Sequence, residues 1–300
     1  MAQETLLIQP ETLLIQVKEC TQQALECGVL QPIETEYELV EQEGIPFLVR
    51  TLTNLARKHK EQKKQEKADK SFNPFLPYDE ALFIADISKT HLCLLNKYNV
   101  LDHHLLIVTR EFEDQENWLN LRDFEAMWAV LAQVDGLAFY NGGKGAGASQ
   151  PHKHLQVVPL PLVPDIERLP ISPAIAATDF QDNIGISPKL PFIHAIAKLN
   201  PNWAKLPSQA AQKTLELYYH LLCKVGLLGQ EVPCEKQSQP YNLLATRDWM
   251  MIVPRSQEKF QGISINSLGF AGALLAKNEE EKQLIQEHSP MNILKSVAQS

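Results

Sequence analysis

The segment Gly147-Ala148-Ser149-Gln150-Pro151-His152-Lys153-His154-Leu155-Gln156 joins a small-residue loop to an alternating run in which two histidines and a glutamine fall at every second position. In a β-strand, residues i, i+2 and i+4 share one face and lie about 6.6 Å apart. His152, His154 and Gln156 are therefore expected to point together, with Lys153, Leu155 and Val157 on the opposite face. Pro151 suits the start of such a strand, because it forces the residue before it into extended backbone. Just upstream, Asn141 to Ser149 contains four glycines in nine residues, so backbone N–H groups can converge there on an anion. The loop is not a P-loop: the Gly-x-x-x-x-Gly-Lys spacing is absent, and a strand follows it rather than a helix.

Three readings of the histidines stand side by side on the residues alone. Two imidazoles on one strand face can share a metal ion, but Gln156 is a poor third ligand and no carboxylate sits on that face. Buried histidines can also be purely structural. The third reading is covalent catalysis, in which a neutral imidazole attacks phosphorus and forms a phosphoramidate. It is favoured because it also uses the glycine loop and the glutamine. An amide can donate a hydrogen bond to a phosphoryl oxygen but cannot act as a proton acid. A leaving phosphate needs no proton, since its second pKa is near 6. Glutamine therefore suits exchange between phosphate groups better than hydrolysis.

The elements that must hold these residues follow from patterning. Glu11 to about Gly28 reads as a helix ended by the glycine, and Tyr37 to Leu52 as a strand or two broken at Gly44-Ile45-Pro46. The hydrophilic run Arg57 to Lys70 reads as a solvated loop or a lysine-bearing flap. Leu82–Ala85, His91–Asn96, Leu105–Val108 and Leu137–Tyr140 have strand length and composition. Between the last two lies a helix over Asp123 to Gly136, with Asp123 as its cap. The histidine strand spans 152–158. Residues 159–191, with seven prolines, read as an irregular linker or surface excursion. Gln209 to Leu228 is helical, Tyr241–Thr246 and Trp249–Val253 are paired strands, Ile263 to Gly272 is a loop leading into a helix, and a polar helix and tail begin near Glu279. The first residues hold Glu-Thr-Leu-Leu-Ile-Gln twice, at 4–9 and 11–16. Short connections between successive strands argue for an antiparallel α+β sheet rather than βαβ repeats.

Composition bounds the function class. The 300 residues carry a net charge of -8, 44% hydrophobic and 21% charged residues, values of a soluble globular protein and unlike a general nucleic-acid binder. No apolar run approaches the roughly 20 residues of a membrane span. The five cysteines are scattered without C-x-x-C spacing, which suggests neither a zinc site nor a disulfide framework and fits reduced thiols in the cytoplasm.

At the histidine strand the chain resembles the transferase branch of the histidine triad superfamily, within which two families share H-x-H-x-Q. The galactose-1-phosphate uridylyltransferases usually have proline at the position of Lys153. The diadenosine tetraphosphate (Ap4A) phosphorylases, or ATP adenylyltransferases, have Gly-Ala-Ser-Gln-Pro-His-Lys-His-Leu-Gln much as written here. Resemblance to the second family extends in order over about residues 35–280, through Asn73–Pro77, Leu94–Tyr98, His104–Arg110, Phe139–Asn141, Tyr241–Leu244, Trp249-Met250, Val253–Arg255 and Ile265–Gly272. It implies a HIT-like antiparallel sheet flanked by helices, elaborated at both ends. Residues 1–168 would form the N-terminal region with the H-x-H-x-Q strand, 169–208 a Pro-rich connection, and 209–300 the C-terminal region of what is expected to be one continuous fold.

The implied reaction is Ap4A plus phosphate giving ATP plus ADP, reversibly, with exchange of sulfate for phosphate in adenylyl sulfate as a side activity. His154 would be the nucleophile that becomes adenylylated, Gln156 would hydrogen-bond the phosphoryl group, and His152 would orient His154. Asn96, Lys97, Asn141 and the loop Gly147, Ala148, Ser149 and Gln150 would contact nucleotide and its phosphates. Asn266, Ser267, Leu268 and Lys277 match a distal region that grips the rest of the polyphosphate. Lys58 matches a substrate lysine by spacing alone. A divalent cation such as Mg²⁺ would accompany the polyphosphate without a dedicated protein site, and no tightly bound cofactor is implied. The expected partners are diadenosine polyphosphates, ATP, ADP and phosphate, with no nucleic acid, membrane or obligate protein partner. A sugar-1-phosphate nucleotidylyltransferase of the uridylyltransferase type and a non-catalytic nucleotide-binding protein are the alternatives.

Overall fold

The computed structural model describes residues 5–9, 11–53, 73–229 and 235–300. The hydrophilic run with Lys58, and Cys234, lie outside them. Helix α1 (Leu13–Glu26) leads to a hairpin of β1 (Thr35–Gln42) and β2 (Ile45–Leu52). Then come β3 (Phe83–Asp86), β4 (His91–Leu95), β5 (Leu105–Thr109), α2 (Leu121–Leu131), β6 (Gly136–Gly142) and β7 (His154–Pro159). The next stretch holds α3 (Ser172–Ala176), β8 (Asp179–Gln181), β9 (Ile184–Ile186), β10 (Ala195–Lys198) and α4 (Pro207–Lys224). The chain ends with β11 (Tyr241–Ala245), β12 (Trp249–Pro254), β13 (Lys259–Phe260), β14 (Ile263–Ser264), α5 (Ser267–Phe270), β15 (Ala273–Ala276), α6 (Glu279–His288) and α7 (Pro290–Val297).

Ten strands form one antiparallel sheet in the order β3-β4-β5-β7-β6-β11-β12-β10-β9-β8, the α+β architecture read from the sequence. A second sheet pairs β2 antiparallel with β1 and parallel with β15. Strand alternation gives the large sheet two different faces. Leu155 and Val157 of β7, with Ile107, Tyr140 and Leu243, pack under α1, α2 and α4. At the crossing of α2 and α4 the buried Trp128 donates its indole N–H to Thr214 Oγ1 at 2.8 Å, so the polar tip of a large apolar side chain is satisfied. The other face carries two separate apolar clusters. One joins Phe75 to Leu92, Leu94, Leu106 and Val108. The other joins Leu137, Phe139, Val158 and Leu244 to the small sheet, the 162–174 segment and the C-terminal helices. Gln156 pairs with Leu106 on one side and Phe139 on the other, so β7 presents its polar residues in the seam between the two clusters.

Several boundaries differ from expectation. The cap of α2 is Asn120: its side chain accepts from the N–H groups of Arg122 and Asp123, and Asp123 answers by accepting from Asn120 N. Asp123 is thus the third helical residue of a capping box. The histidine strand begins at His154; the N–H of Lys153 turns to Glu113 O, while its carbonyl still accepts from Thr109 N of β5. Residues 159–191 are not a surface excursion. They bury Leu162, Val163, Ile166, Leu169, Ile171, Ala174 and Leu190 and supply β8 and β9 to the main sheet. The prolines signal absent N–H donors, which is compatible with burial wherever no ladder bond is needed. The helix expected after Ile263–Gly272 is instead one short turn inside that segment, α5, followed by Gly272 at φ 89, and the chain continues as β15. The expected tail is α7, which buries Met291, Ile293, Leu294 and Val297. Among the described residues no helix is long and apolar enough to cross a membrane.

Candidate active site

His154 opens β7 and is almost fully buried. Its Nδ1 lies 2.8 Å from the carbonyl oxygen of His152. A carbonyl can only accept, so Nδ1 carries the ring hydrogen and the lone pair is on Nε2. Burial outweighs that hydrogen bond and lowers the imidazole pKa to about 4, which leaves the ring neutral at pH 7. Among the described residues nothing hydrogen-bonds Nε2. Phe75 stands beside the ring, centroid to centroid 5.0 Å.

The group of His152 that meets His154 is its backbone carbonyl and not its imidazole. That ring turns away, with Nε2 2.9 Å from Thr109 O and Nδ1 3.0 Å from Asn73 Nδ2. Asn73 Oδ1 in turn accepts from Phe75 N at 3.0 Å. The side chain of His152 therefore ties the Asn73–Phe75 segment to β5 and carries Phe75 to His154.

Lys153 faces the opposite side, where it is fully buried. Its Nζ meets Asp123 Oδ2 at 2.7 Å, Trp118 O at 3.0 Å and Glu113 Oε2 at 3.1 Å, while Asp123 Oδ1 also meets His91 Nε2 at 3.1 Å. These partners hold the Asp123 carboxyl at about 2 despite its burial.

Gln156 shares the face of His154, and its Oε1 lies 2.9 Å from His104 Nε2. His104 Nδ1 lies 3.2 Å from Asn96 Nδ2. Asn141 is also buried here. Its Oδ1 accepts from Ser267 N at 2.9 Å, Ser267 Oγ at 2.8 Å and Asn242 Nδ2 at 2.9 Å. Its Nδ2, unengaged among the described residues, is left as a donor. One side chain spans the two strands that carry these groups. Gln115 accepts from His154 N at 2.8 Å, and its Nε2 donates to Asn141 O at 2.9 Å and His154 O at 3.2 Å. The paired register of β6 and β7 reaches Phe139↔Gln156. Beyond it the Gln115 amide stands in for the missing ladder.

The glycine loop leaves β6 and folds against the segment before α5. Gly147 has φ 89, and a Cβ there would lie 2.8 Å from both Asn266 Cβ and Ile265 O, so only glycine fits. Arg255, fully buried, fastens this region: its guanidinium donates to Asn242 Oδ1 at 2.6 Å, Ile265 O at 2.9 Å, Val297 O at 3.0 Å and Ala146 O at 3.3 Å. Burial lowers its pKa only to about 10, so it stays charged.

The sequence-predicted residues separate into groups. His154, Gln156, Asn96 and Asn141 meet around one seam of the sheet. Gly147 and Ala148 form the adjoining loop, with Ser149 exposed and Gln150 half-buried at its far end. Ser267 is fully buried, and its hydroxyl serves Asn141 and the Tyr140 carbonyl. Asn266 caps α5 by accepting from Leu268 N at 3.0 Å. Lys97 is half-buried, and its carbonyl accepts from Gln31 N. Lys277 follows β15 and contacts Glu281 Oε1 at 3.4 Å. Lys58 is outside the described residues. Gln115, His104, Asn242, Arg255, Asn73 and Phe75 also build the site. All but Gln115 lie in segments that resemble the family, which is the signal the sequence carries for them.

A family model described as the Ap4A phosphorylase N-terminal domain matches residues 3–177, and one described as the ATP adenylyltransferase C-terminal domain matches 188–300. Diadenosine 5',5'''-P1,P4-tetraphosphate phosphorylase 2 of Saccharomyces cerevisiae is 29% identical over 259 residues, covering 76% of this chain and 75% of the relative. Protein APA1 of the same yeast is 26% identical over 291 residues, covering 88% and 86%. The fold matches the crystal structure of yeast Ap4A phosphorylase Apa2 with a TM-score of 0.76 at 24% identity, over 97% of this chain and 98% of that one. The structure of that yeast enzyme in complex with Ap4A matches with a TM-score of 0.74 at 23% identity, over 97% and 98%.

Proposed function

The chain belongs to the Ap4A phosphorylase and ATP adenylyltransferase family, and from that premise we propose that it cleaves Ap4A with inorganic phosphate, giving ATP and ADP, by way of an adenylyl group carried on His154. The observation that carries this reading is the neutral His154 ring, with Nδ1–H held by the His152 carbonyl and Nε2 unengaged on the face shared with Gln156 and Asn141. In the first step Nε2 attacks an α-phosphorus of Ap4A. The N–P bond forms, the bond from phosphorus to the bridging oxygen breaks, and ATP leaves with that electron pair. In the second step a phosphate oxygen attacks the same phosphorus, the N–P bond breaks, and ADP leaves with His154 restored.

The chain's own groups supply positioning and electrostatics for both steps. Gln156 and Asn141 present amide N–H groups to the transferring phosphoryl oxygens. The glycine loop offers backbone N–H groups to the remaining phosphates. No side chain need protonate the departing polyphosphate, in keeping with an amide at position 156. Among the described residues no group of three or more His, Cys, Asp or Glu side chains could hold a metal ion. In this reading Mg²⁺ arrives on the polyphosphate, ligated by its oxygens and water. The same two half-reactions would exchange sulfate for phosphate in adenylyl sulfate, and the setting would be the cytosol.

The test is rapid quenching of the protein with Ap4A labelled in its α-phosphate, with and without phosphate. Acid-labile AMP on His154 is expected without phosphate, and ADP only with it. His154→Ala should lower turnover at least about a thousandfold. Equal release of free AMP without phosphate would make the protein a hydrolase, and a preference for UDP-glucose as donor would make it a sugar-1-phosphate nucleotidylyltransferase.

A further inference from the structure

The amide of Gln156 has two orientations of nearly the same shape and opposite polarity. One shows NH₂ to the seam beside His154, and the other shows a carbonyl oxygen, whose negative end would repel a phosphoryl group. A backbone group three links away selects between them. The N–H of Tyr98 can only donate, and it meets Asn96 Oδ1 at 3.3 Å. That turns Asn96 Nδ2, which also can only donate, toward His104 Nδ1 at 3.2 Å. Nδ1 must therefore accept. His104 is buried, and burial holds its pKa at about 4, so at neutral pH it carries one ring hydrogen, on Nε2. Nε2–H donates to Gln156 Oε1 at 2.9 Å, and the Gln156 NH₂ is left for the seam. Strand pairing fixes the distances: Leu106 is opposite Gln156 on β5, and His104 precedes it by two residues on the same face.

We propose that His104, locked by Asn96, is a positioning residue for the transfer: it holds the Gln156 amide so that its N–H groups and not its oxygen face the phosphoryl group on His154. This rests on the adenylyl-transfer reading above and adds to it the residue that gives Gln156 its polarity. The two buried histidines then serve opposite ends through opposite tautomers. His154 carries its hydrogen on Nδ1 and attacks with Nε2, whereas His104 carries its hydrogen on Nε2 and never touches substrate.

Two measurements test this. Long-range ¹H–¹⁵N spectra of the histidine-labelled wild-type protein at pH 7 should show His104 protonated on Nε2 and His154 on Nδ1. A His104 ring protonated on Nδ1 would reverse the chain of donors and overturn the proposal. In single-turnover adenylylation by Ap4A, His104→Ala should be slowed about tenfold to a hundredfold, with Ap4A affinity changed less than about threefold. Gln156→Ala should show a loss of the same kind, and the double variant should be no slower than Gln156→Ala alone. Losses that multiply in the double variant would mean that His104 acts apart from Gln156 and would sink the idea. If the wild-type protein takes no AMP from Ap4A, the adenylyl-transfer reading fails, whereas the tautomer spectra still decide the orientation of the amide.

Discussion

The imidazole of His154 is neutral because it is buried, and this has a measurable consequence in acid. A histidine in water is half protonated near pH 6.5, whereas His154 and His104 both titrate at about 4. In the proposed transfer His154 must be neutral to attack, whereas a protonated His104 would still donate from Nε2 to Gln156. Lowering the pH through 6.5 should therefore leave the adenylylation rate unchanged. The acid limb of kcat/KM should appear only near pH 4, with a log–log slope approaching one. Ap4A is the right donor for this measurement, since the half-reaction needs no inorganic phosphate, whose own pKa near 6 would intrude. Single turnovers after rapid mixing into acid read the limb, and a midpoint near 6.5 would show His154 to be solvated. Part of this was legible beforehand. The spacing of His154 and Gln156 announces a shared strand face, and glutamine in place of an acid announces an unprotonated leaving group. Which ring nitrogen attacks was not legible, because the His152 carbonyl and the Tyr98 N–H look alike in every sequence.

At the scale of elements, β7 is fastened from below. Lys153 and Asp123 are both fully buried and join β7 to the first turn of α2. Replacing Lys153 by Met leaves the Asp123 carboxylate with His91 as its remaining side-chain partner. The expected loss is about 3–5 kcal/mol of unfolding free energy, measured by chemical denaturation. Most of it should return in Lys153→Met/Asp123→Asn, where no charge is stranded. Alternation placed Lys153 on the helix-facing side but could not supply its partners, which come from 30 and 40 residues away. The repeated Glu-Thr-Leu-Leu-Ile-Gln makes the same point. In the first copy the described residues are not helical and Leu7 N bonds to Ile87 O, whereas in the second Leu13 opens α1, fully buried, with its N–H on Gln133. The hexapeptide is identical and its neighbours are not, so packing decides the conformation. Gln115 was invisible for a related reason. Its amide matters only because β6 and β7 part beside His154, and no local pattern encodes the place where two strands part.

At the scale of the molecule, the seam is assembled from both ends of the chain. Antiparallel α+β architecture could be read from strand lengths and short connections. The sheet order that sets β11 beside β6 could not, since residues 159–191, between them, offer prolines in place of periodicity. That order gives Asn141 its holders: Asn242 is 101 residues away in sequence and Ser267 is 126. Closing loops of that length costs entropy before any contact repays it, and non-local pairing slows folding. During synthesis His154 and the glycine loop leave the ribosome well before the residues that orient Asn141 exist. A fragment ending at residue 228 should therefore carry His154 and Gln156 yet transfer no AMP, and adding the separately made remainder should restore transfer in proportion to the complex formed. By the proposed chemistry the growing chain would be protected from itself, drawing on no ATP until its last quarter has been made and folded back.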